Sequence, residues 1–332
     1  EYLDKLYSLV RENASKIHRL AEKIAEIDLA QSLASVALAR RYVRPEVTEE
    51  DILEIREGRH PVVEITIEEP FIPNDTIMGE DRIFVVTGPN MSGKSTYLRQ
   101  IALIVLMAQI GSFVPATKAR IGIVDRIFSR IGASDDLARG VSTFMAEMIE
   151  TAQILNQATK RSLVILDEVG RGTSTFDGMA IAWAVMEYLA RNLGPKTIFA
   201  THYQELSSLE GTLKGVRNYT ILVREWGGGI VFLRKVVRGT TDKSYGVHVA
   251  ELAGLPKKVV ERAREILMEI ESSNRARFMR YGRQLSFFER FEGKESEGDR
   301  DLRKKLLSLN LDQMTPKEAL DFLYKLKEDL ER

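Results

Sequence analysis

Residues 87–96 read TGPNMSGKST and follow the apolar run IFVV at 83–86. The stretch from Gly88 to Ser95 matches the pattern G-x-x-x-x-G-K-[ST], in which the backbone N–H groups of a glycine-rich loop surround phosphate oxygens. The pattern requires a strand before the loop and a helix after it, because the N-terminus of the helix adds N–H groups and a favourable dipole. The residues before the loop have the apolar composition of a strand, and those after it have the composition of a helix. The sequence therefore predicts a phosphate-binding loop here.

The loop and the first helical turn supply the predicted phosphate contacts. Lys94 would place a positive charge on the phosphates, and Ser95 would offer a hydroxyl group to Mg²⁺. The predicted nucleotide-contacting residues of this stretch are Gly88, Pro89, Asn90, Met91, Ser92, Gly93, Lys94, Ser95 and Thr96. The alternative is a strand-to-helix turn that contains glycine and binds nothing.

Apolar runs and helical patterns alternate after the loop. The runs SLVILDE (162–168), KTIFATH (196–202) and GIVFLRKVVRG (229–239) have the composition of strands. Strands that are apolar throughout and are joined by helical crossovers indicate a largely parallel sheet covered on both faces. The fold predicted is α/β. The stretch LPKKVVERAREILMEI (255–270) is expected to close it as a helix that begins at a proline.

Two adjacent acids end the run LVILDE. Ligands bind outside the carboxyl ends of the strands in open α/β sheets, so Asp167 and Glu168 are expected at the ligand-binding edge. Asp167 would hold Mg²⁺ through its water shell, and Glu168 would orient or deprotonate an attacking water molecule. The alternative is an ordinary acidic strand end.

His202 ends the next apolar run, which places it at the same edge as Asp167. A neutral imidazole there can hydrogen-bond a γ-phosphate. The alternative is a structural histidine. His60, in the sequence GRHP, needs no role beyond a structural hydrogen bond, and His18 is expected on the surface of the first helix.

Composition excludes several classes of protein. The 332 residues include 48 Lys and Arg and 48 Asp and Glu, so the net charge of zero argues against binding of a polyanion by the whole surface. The absence of cysteine excludes disulfides and thiolate metal sites. The apolar stretch 101–116 is too short to span a bilayer and is predicted to be a buried helix. The chain begins without Met, so we expect a fragment of a longer protein.

The flanking segments differ from the α/β unit. Leu3, Leu6 and Val10 begin an apolar series with intervals of three, four and seven, which predicts a long packed helix, and a second helical stretch runs from Asp28 towards Pro45. HPVVEITIEEPFIPND (60–75) alternates as a strand does. The predicted division is a helical segment at 1–44, an α/β domain with closing helices at 45–271, a polar linker at 272–300 and a helical segment at 301–332.

The order of the motifs resembles that of the ABC-type ATPases. GVSTFMAEM lies about twenty residues before the acidic strand, followed by DEVGRGTST and ATH. Within that superfamily, the stretches TGPNMSGKSTYLRQIALIVLMAQIGSFVPA, DRIFSRIGASDDLARGVSTFMAEM, LVILDEVGRGTSTFDGMAIAWA and FATHYQEL are similar to the MutS family of DNA mismatch repair proteins. Nearly the whole chain takes part, since residues 1–44 resemble the end of the lever region and MTPKEALDFLYKL resembles the C-terminal oligomerisation segment.

The resemblance implies further site residues. Phe71 and Ile72 in EPFIPND correspond to the segment against adenine, with Phe71 stacked on the base, although an aromatic residue there can also belong to the core. Ser142 would begin the signature helix and act in trans on the nucleotide of a second chain. Arg171 and the loop 173–175 would cross the dimer between its two sites. The alternative for this loop is a helix N-cap by Ser or Thr, and both can hold together.

The resemblance also implies activity and partners. It implies a homodimeric ATPase that converts ATP to ADP and phosphate with Mg²⁺, works in the bacterial cytoplasm with a MutL-type partner, and meets mismatched DNA only as part of the full-length protein. RQLSFF (283–288) resembles the peptide that docks on a sliding clamp, through Gln284, Leu285, Phe287 and Phe288. The alternative for that peptide is a small hydrophobic patch on the main body.

Three rival functions remain. Another ABC-type DNA-repair ATPase would carry a long coiled-coil insertion after the phosphate-loop half, and no such insertion is present. A small-molecule P-loop kinase would need an arginine-rich lid in place of the signature helix. A non-catalytic oligomerisation fragment would bind nucleotide without turning it over.

Overall fold

The computed structural model describes residues 2–89, 91–132, 142–226, 229–240 and 245–269. The chain divides into two compact units, Glu1–Ala253 and Gly254–Arg332. The predicted boundaries at 44, 271 and 300 are not tested by this division and stay predictions. The described residues include no helix long and apolar enough to cross a membrane.

Helix α1 spans Tyr2–Arg40 and is one continuous helix of 39 residues. The prediction of two separate helical stretches is wrong, because no proline or glycine interrupts the chain before Pro45. The predicted apolar series lies on this helix but is exposed, with Leu3 at 65% and Ile27 at 68%. Only Ala37 of α1 is buried.

A four-stranded sheet is formed by three strands that precede the phosphate loop in sequence and one that follows it. Its order is β1 (Glu46–Thr48), β5 (Lys118–Gly122), β2 (Leu53–Gly58) and β3 (Asn74–Met78). The β1–β5 pair is parallel, and the other two pairs are antiparallel. The sequence alone does not predict this sheet.

The strand predicted over 60–75 is mostly wrong. Residues Val63–Thr66 form a single helical turn, α2, and β3 starts only at Asn74. The cause is His60, which is buried and whose Nδ1 accepts hydrogen bonds of 3.2 Å from the N–H groups of Val62 and Val63. These bonds favour a turn over an extended chain. The structural role expected for His60 is thereby confirmed.

The six-stranded sheet has the order β10–β9–β4–β8–β7–β6. Its strands are β4 (Ile83–Thr87), β6 (Ile127–Ile131), β7 (Leu163–Asp167), β8 (Lys196–Ala200), β9 (Val216–Trp226) and β10 (Gly229–Arg238). β9, β4, β8, β7 and β6 run parallel, and β10 pairs antiparallel with β9. All residues of β4, β7 and β8 are buried. The predicted α/β fold with a mainly parallel sheet is confirmed.

Helices cover both faces of this sheet. They are α3 (Lys94–Gln109), α4 (Thr143–Gln157) and α5 (Thr175–Tyr188), which continues into a wider turn at Leu189–Leu193. Phe84 and Val86 of β4 pack in one core cluster with α3, whereas Ile83 and Val85 pack in a second cluster with α5. The alternation follows from the two-residue period of a strand, and it buries β4 on both sides.

Short elements complete the described chain. A 3₁₀ turn at Gln204–Ser208 leads into α6 (Leu209–Thr212), and α7 spans Gly246–Leu252. In the second unit, residues 257–269 form a helix, α8, directly after Pro256. This confirms the predicted helix that begins at a proline. The polar linker and the oligomerisation segment predicted for 272–332 lie outside the described residues.

Candidate active site

The loop between β4 and α3 has the backbone of a phosphate-binding loop. Gly88, Met91 and Gly93 have φ angles of 139°, 67° and 105°. Glycine adopts such angles at little cost, and loops with such angles can turn backbone N–H groups towards an anion. The predicted strand before the loop and helix after it are both present. Asn90, predicted to contact the nucleotide, lies outside the described residues.

Lys94 begins α3 and is buried. Its Nζ donates to the backbone carbonyls of Gly88 at 2.7 Å and Pro89 at 3.0 Å. Burial lowers the pKa of the ammonium group, while the charges of Glu168 and Asp167 act in the opposite direction. The cation therefore lies at the loop, close enough to both acids to interact with them electrostatically.

Asp167 is the last residue of β7, and its side chain meets that of Ser95 at the start of α3. Burial raises the pKa of the Asp167 carboxyl, a hydrogen bond from Ser95 lowers it, and the charge of Glu168 raises it further. No group of three or more His, Cys, Asp or Glu side chains arranged to hold a metal occurs among the residues that the structure describes. Mg²⁺ in nucleotide sites takes only one or two carboxylates beside phosphate and water oxygens, so a hydroxyl and a carboxylate in contact fit that ion.

Glu168 has a left-handed backbone conformation, with φ of 56°, which is unusual for a residue with a side chain. Its N–H donates to the carbonyl of Ala200 on β8 at 2.9 Å. Its carboxylate contacts Arg171, with 2.6 Å between Oε2 and Nη1. The backbone of Glu168 is thus held by β8, and its side chain is held by Arg171, three residues later in the same loop.

His202 follows β8 and is exposed, with its ring 4.2 Å from that of Tyr203 at an interplanar angle of 41°. Although the residue is exposed, the protein around the ring removes enough water to lower the imidazole pKa. The charges of Arg171 and Lys94 lower it further, and that of Glu168 opposes them. The lowered pKa favours the neutral imidazole, and the ring interacts electrostatically with Glu168, Arg171 and Lys94.

A cavity of about 590 Å³ opens at this edge of the sheet. Its walls come from α3, β6, α4 and the loop after β7. The lining residues are Met91, Ser95, Arg99, Arg130, Ile131, Gly132, Thr143, Glu147, Asp167, Glu168, Arg171 and Gly172. The structure thus brings Ser95, Asp167, Glu168 and Arg171 together around one space.

Other predicted residues lie elsewhere. Ser142 is exposed and caps α4, since its Oγ accepts a hydrogen bond of 3.2 Å from the N–H of Met145. Ser174 caps α5 in the same way, accepting from Asp177 N–H, as the alternative reading of the loop 173–175 allowed. An exposed helix N-terminus capped by serine can present N–H groups to an anion brought by another molecule.

The segment that contains Phe71 and Ile72 is held against β10 by hydrogen bonds of Asn74. Asn74 is buried and donates to the carbonyls of Ile72 at 3.3 Å and Arg234 at 3.0 Å, and it accepts from the N–H of Val236 at 2.8 Å. Phe71 is half-buried, and Ile72 is 39% exposed. Neither residue belongs to the two core clusters of the described chain, so both keep surface for a ligand.

The buried ion pair of Arg130 and Glu147 in the cavity wall is not predicted from the sequence. Arg130 Nη2 lies 3.6 Å from Glu147 Oε2, and both side chains are about 5% exposed. The sequence does carry a signal, because Glu147 lies in the quoted stretch GVSTFMAEM amid apolar neighbours. A charged residue on the buried face of a helix needs a partner, but a single sequence does not identify which one.

Comparison with protein families and curated relatives gives a consistent result. Residues 84–271 match the family model of MutS domain V, and residues 295–329 match that of the DNA mismatch repair protein MutS C-terminal region. The DNA mismatch repair protein MutS of Thermodesulfovibrio yellowstonii is 55% identical over 323 residues, which cover 95% of this chain and 37% of the relative. The protein of the same name from Ruminiclostridium cellulolyticum is 52% identical over 330 residues, covering 96% and 38%. The chain therefore spans less than two-fifths of the length of these relatives.

Proposed function

Because the chain belongs to the MutS family of DNA mismatch repair proteins, we propose that it is the ATPase and dimerisation portion of such a protein. It hydrolyses ATP to ADP and phosphate, and binding and hydrolysis change the state in which the longer protein holds DNA. The observation that carries this proposal is the convergence of the phosphate loop, the Ser95–Asp167 contact and Glu168 on one cavity.

Each residue has a distinct role in this proposal. The backbone N–H groups of residues 88–93, except Pro89, and the ammonium group of Lys94 bind the phosphates, and Thr96 lies in the same helical turn. Ser95 would hold Mg²⁺ through its hydroxyl and Asp167 would hold it through its water shell, and the ion would neutralise charge on the phosphate oxygens. Glu168 accepts a proton from the attacking water or orients that water. His202 donates a hydrogen bond to the γ-phosphate, and Phe71 and Ile72 contact the base.

Lys94 must change its partners when a phosphate arrives. Its Nζ donates to two loop carbonyls. A phosphate oxygen offers a charge-assisted bond that is stronger than a bond to a neutral carbonyl. The carbonyls therefore keep the side chain at the mouth of the loop, where the phosphate replaces one or both of them.

We further propose that the site is completed by a second copy of the chain. Ser142 then acts on the nucleotide of its partner through the N-terminus of α4, and Arg171 lies at the crossing between the two sites. The exposure of both residues supports this arrangement. The division into a helical segment at 1–44, an ATPase domain at 45–271, a linker at 272–300 and an oligomerisation segment at 301–332 belongs to the same proposal.

The partners are proposed from the family. They are a second copy of this chain, mismatched DNA through the remainder of the longer protein, a MutL-type repair protein, and a sliding clamp bound by Gln284, Leu285, Phe287 and Phe288. These four residues lie outside the described part of the chain. The expected compartment is the bacterial cytoplasm.

The deciding experiment measures ATP hydrolysis against protein concentration. A site shared between two chains gives turnover per chain that rises with concentration until dimerisation is complete. Turnover per chain that is independent of concentration, while sedimentation shows the chain passing from monomer to dimer, would refute the shared site. Nucleotide binding without any turnover at all concentrations would instead favour a non-catalytic oligomerisation fragment.

A further inference from the structure

The loop after Glu168 is held in place by three surrounding elements. Gly170 has φ of 89°, and a Cβ atom on it would overlap the backbone of Gly178 in α5. A Cβ atom on Gly172 would lie 2.9 Å from Cβ of Phe144 in α4. The loop therefore packs against two helices with no room for side chains at these positions, and its path depends on where those helices lie.

Two polar contacts fix the peptide groups of Gly170. Its buried N–H donates to Oε1 of Glu147, a side chain of α4, and its carbonyl accepts from the hydroxyl of Tyr203 at 3.0 Å. Tyr203 is next to His202 in sequence and contacts its ring. The residue two positions after Glu168 is thus held from α4 on one side and from the segment after β8 on the other.

Glu147 itself has a defined environment. It is 4% exposed, and its second oxygen faces Arg130 of β6, 3.6 Å away. Arg130 also reaches the carboxylate of Glu150, with 3.0 Å between Nε and Oε2, and the side chain of Glu150 is 51% exposed. A buried carboxylate is retained in a fold only when such partners satisfy it. The two oxygens of Glu147 thus serve a loop N–H and a buried cation.

We propose that Glu147 is a positioning residue for Glu168. By accepting the Gly170 N–H, it holds the loop that turns the Glu168 carboxylate into the cavity, and it links that carboxylate to α4, the helix that Ser142 begins. Glu168 needs this support because its own backbone has the unfavourable left-handed conformation. The inference rests on the proposed ATPase function for its catalytic meaning, but the loop contact can be tested without it.

The test compares two double variants that differ only in the acceptor. Removing Glu147 alone would leave the buried Arg130 with only the half-exposed Glu150 as a partner, which destabilises a fold for reasons unrelated to the loop. Arg130→Met/Glu147→Gln removes both charges but keeps a side-chain oxygen for Gly170. Arg130→Met/Glu147→Met removes both charges and the oxygen. Glu150→Gln, which weakens a contact of Arg130 without touching Gly170, is the control.

The kinetic prediction separates catalysis from binding. Loss of the oxygen should lower kcat by about tenfold or more, because small misplacements of a catalytic group have large effects on rate. The Kd for ATP should change by less than about twofold, since the phosphate loop is untouched. The Gln double variant and Glu150→Gln should keep kcat within about threefold of the unsubstituted protein. Equal kcat values in the two double variants would overturn the proposal.

A second readout does not depend on turnover. Amide hydrogen exchange of the peptide containing residues 168–173, measured without nucleotide, should be faster in the Met double variant than in the Gln double variant, because the Gly170 N–H has lost its acceptor. Equal exchange in the two would overturn the proposal whatever the kinetics. If the exchange differs but the unsubstituted protein hydrolyses no ATP, the loop contact stands and the proposed ATPase function fails.

Discussion

Arg171 contacts Glu168 within the same chain, with 2.6 Å between Nη1 and Oε2. The arginine is 66% exposed and the glutamate 16%, so the pair lies at the boundary between the cavity and solvent. In the proposed dimer these two residues have different roles. Glu168 acts on the attacking water, whereas Arg171 lies where the loop crosses between the two sites. The contact therefore has to open or rearrange when the composite site forms, and exposed ion pairs are weak enough to allow this.

Replacement of Glu168 by Ala is expected to retain ATP binding and to lower kcat by roughly a hundredfold or more, the usual contribution of a general base. Equilibrium binding of a fluorescent ATP analogue and steady-state phosphate release measure the two quantities. The matched control is Glu150→Ala, an exposed acid on α4 outside the loop. Normal turnover by the Glu168 variant would exclude its role as the base.

Replacement of Lys94 by Ala should weaken ATP binding. The variant loses a charge-assisted contact of about 1.5–3 kcal/mol, which corresponds to about ten- to a hundredfold in Kd. Lys118→Ala is the control, because that lysine lies on β5 in the other sheet with its side chain 63% exposed. Unchanged affinity in a folded Lys94 variant, measured by titration calorimetry, would remove the phosphate-loop assignment.

Mixed dimers test the action of Ser142 in trans. Lys94→Ala and Ser142→Ala homodimers should each be nearly inactive, because every site in either protein lacks one member. In a mixed dimer one site lacks both residues, and the other combines an intact Lys94 with an intact Ser142 from the opposite chain. Mixing should therefore restore activity, up to about one working site in every two, as expected for residues that form one catalytic unit.

The mixtures are titrated over a range of ratios, with native mass spectrometry to confirm that chains exchange. If exchange is complete and the activity never exceeds the sum of the two inactive proteins, Ser142 does not serve the partner's site.

We expect His60 to make the free energy of unfolding depend on pH. Burial lowers its pKa, and the charge of Arg99 acts in the same direction. The unfolded chain, with a histidine pKa of about 6.5, then binds the proton more readily than the folded chain, so the free energy of unfolding falls as the pH drops below about 6.5. The melting temperature should be lower at about pH 5.5 than at about pH 7.5.

The matched variant for this effect is His60→Asn, whose amide oxygen can still accept from the N–H groups of Val62 and Val63. Its melting temperature should fall less between the two pH values than that of the unsubstituted protein. His18→Asn, on the exposed face of α1 with its side chain 80% accessible, is the control for replacement of an exposed histidine. An equal fall in the His60 and His18 variants would assign the pH dependence to other groups.

The sequence predicts the parts of the fold that depend on short-range signals. The phosphate loop, the buried strands β4, β7 and β8, and the serine cap of α5 each follow from a few adjacent residues. The edge position of Asp167, Glu168 and His202 follows from the rule for parallel sheets. These predictions need only the local pattern and the direction of the strands.

The parts that the sequence does not predict depend on contacts between distant segments. β3 begins with Asn74 and Asp75, residues of low strand propensity, and is held by pairing with β2. The contact of Glu147 with Gly170 joins residues 23 positions apart through one side chain. Helix α2 forms because the buried imidazole of His60 accepts hydrogen bonds from two backbone N–H groups. The alternating pattern of 60–75 does not indicate these bonds.

The attachment of α1 has a mechanical consequence. Only Ala37, near the end of the helix, is buried, and Leu29 and Leu33 line a cavity with Ile110 and Phe113, so α1 is attached to the described unit near its C-terminal end. At 1.5 Å per residue, 39 residues extend about 58 Å, and a tilt of about 5° at the attached end displaces the other end by about 5 Å. A small change in the tilt of α1 near Arg40 would therefore displace Tyr2 by several ångströms, without any change in the helix itself.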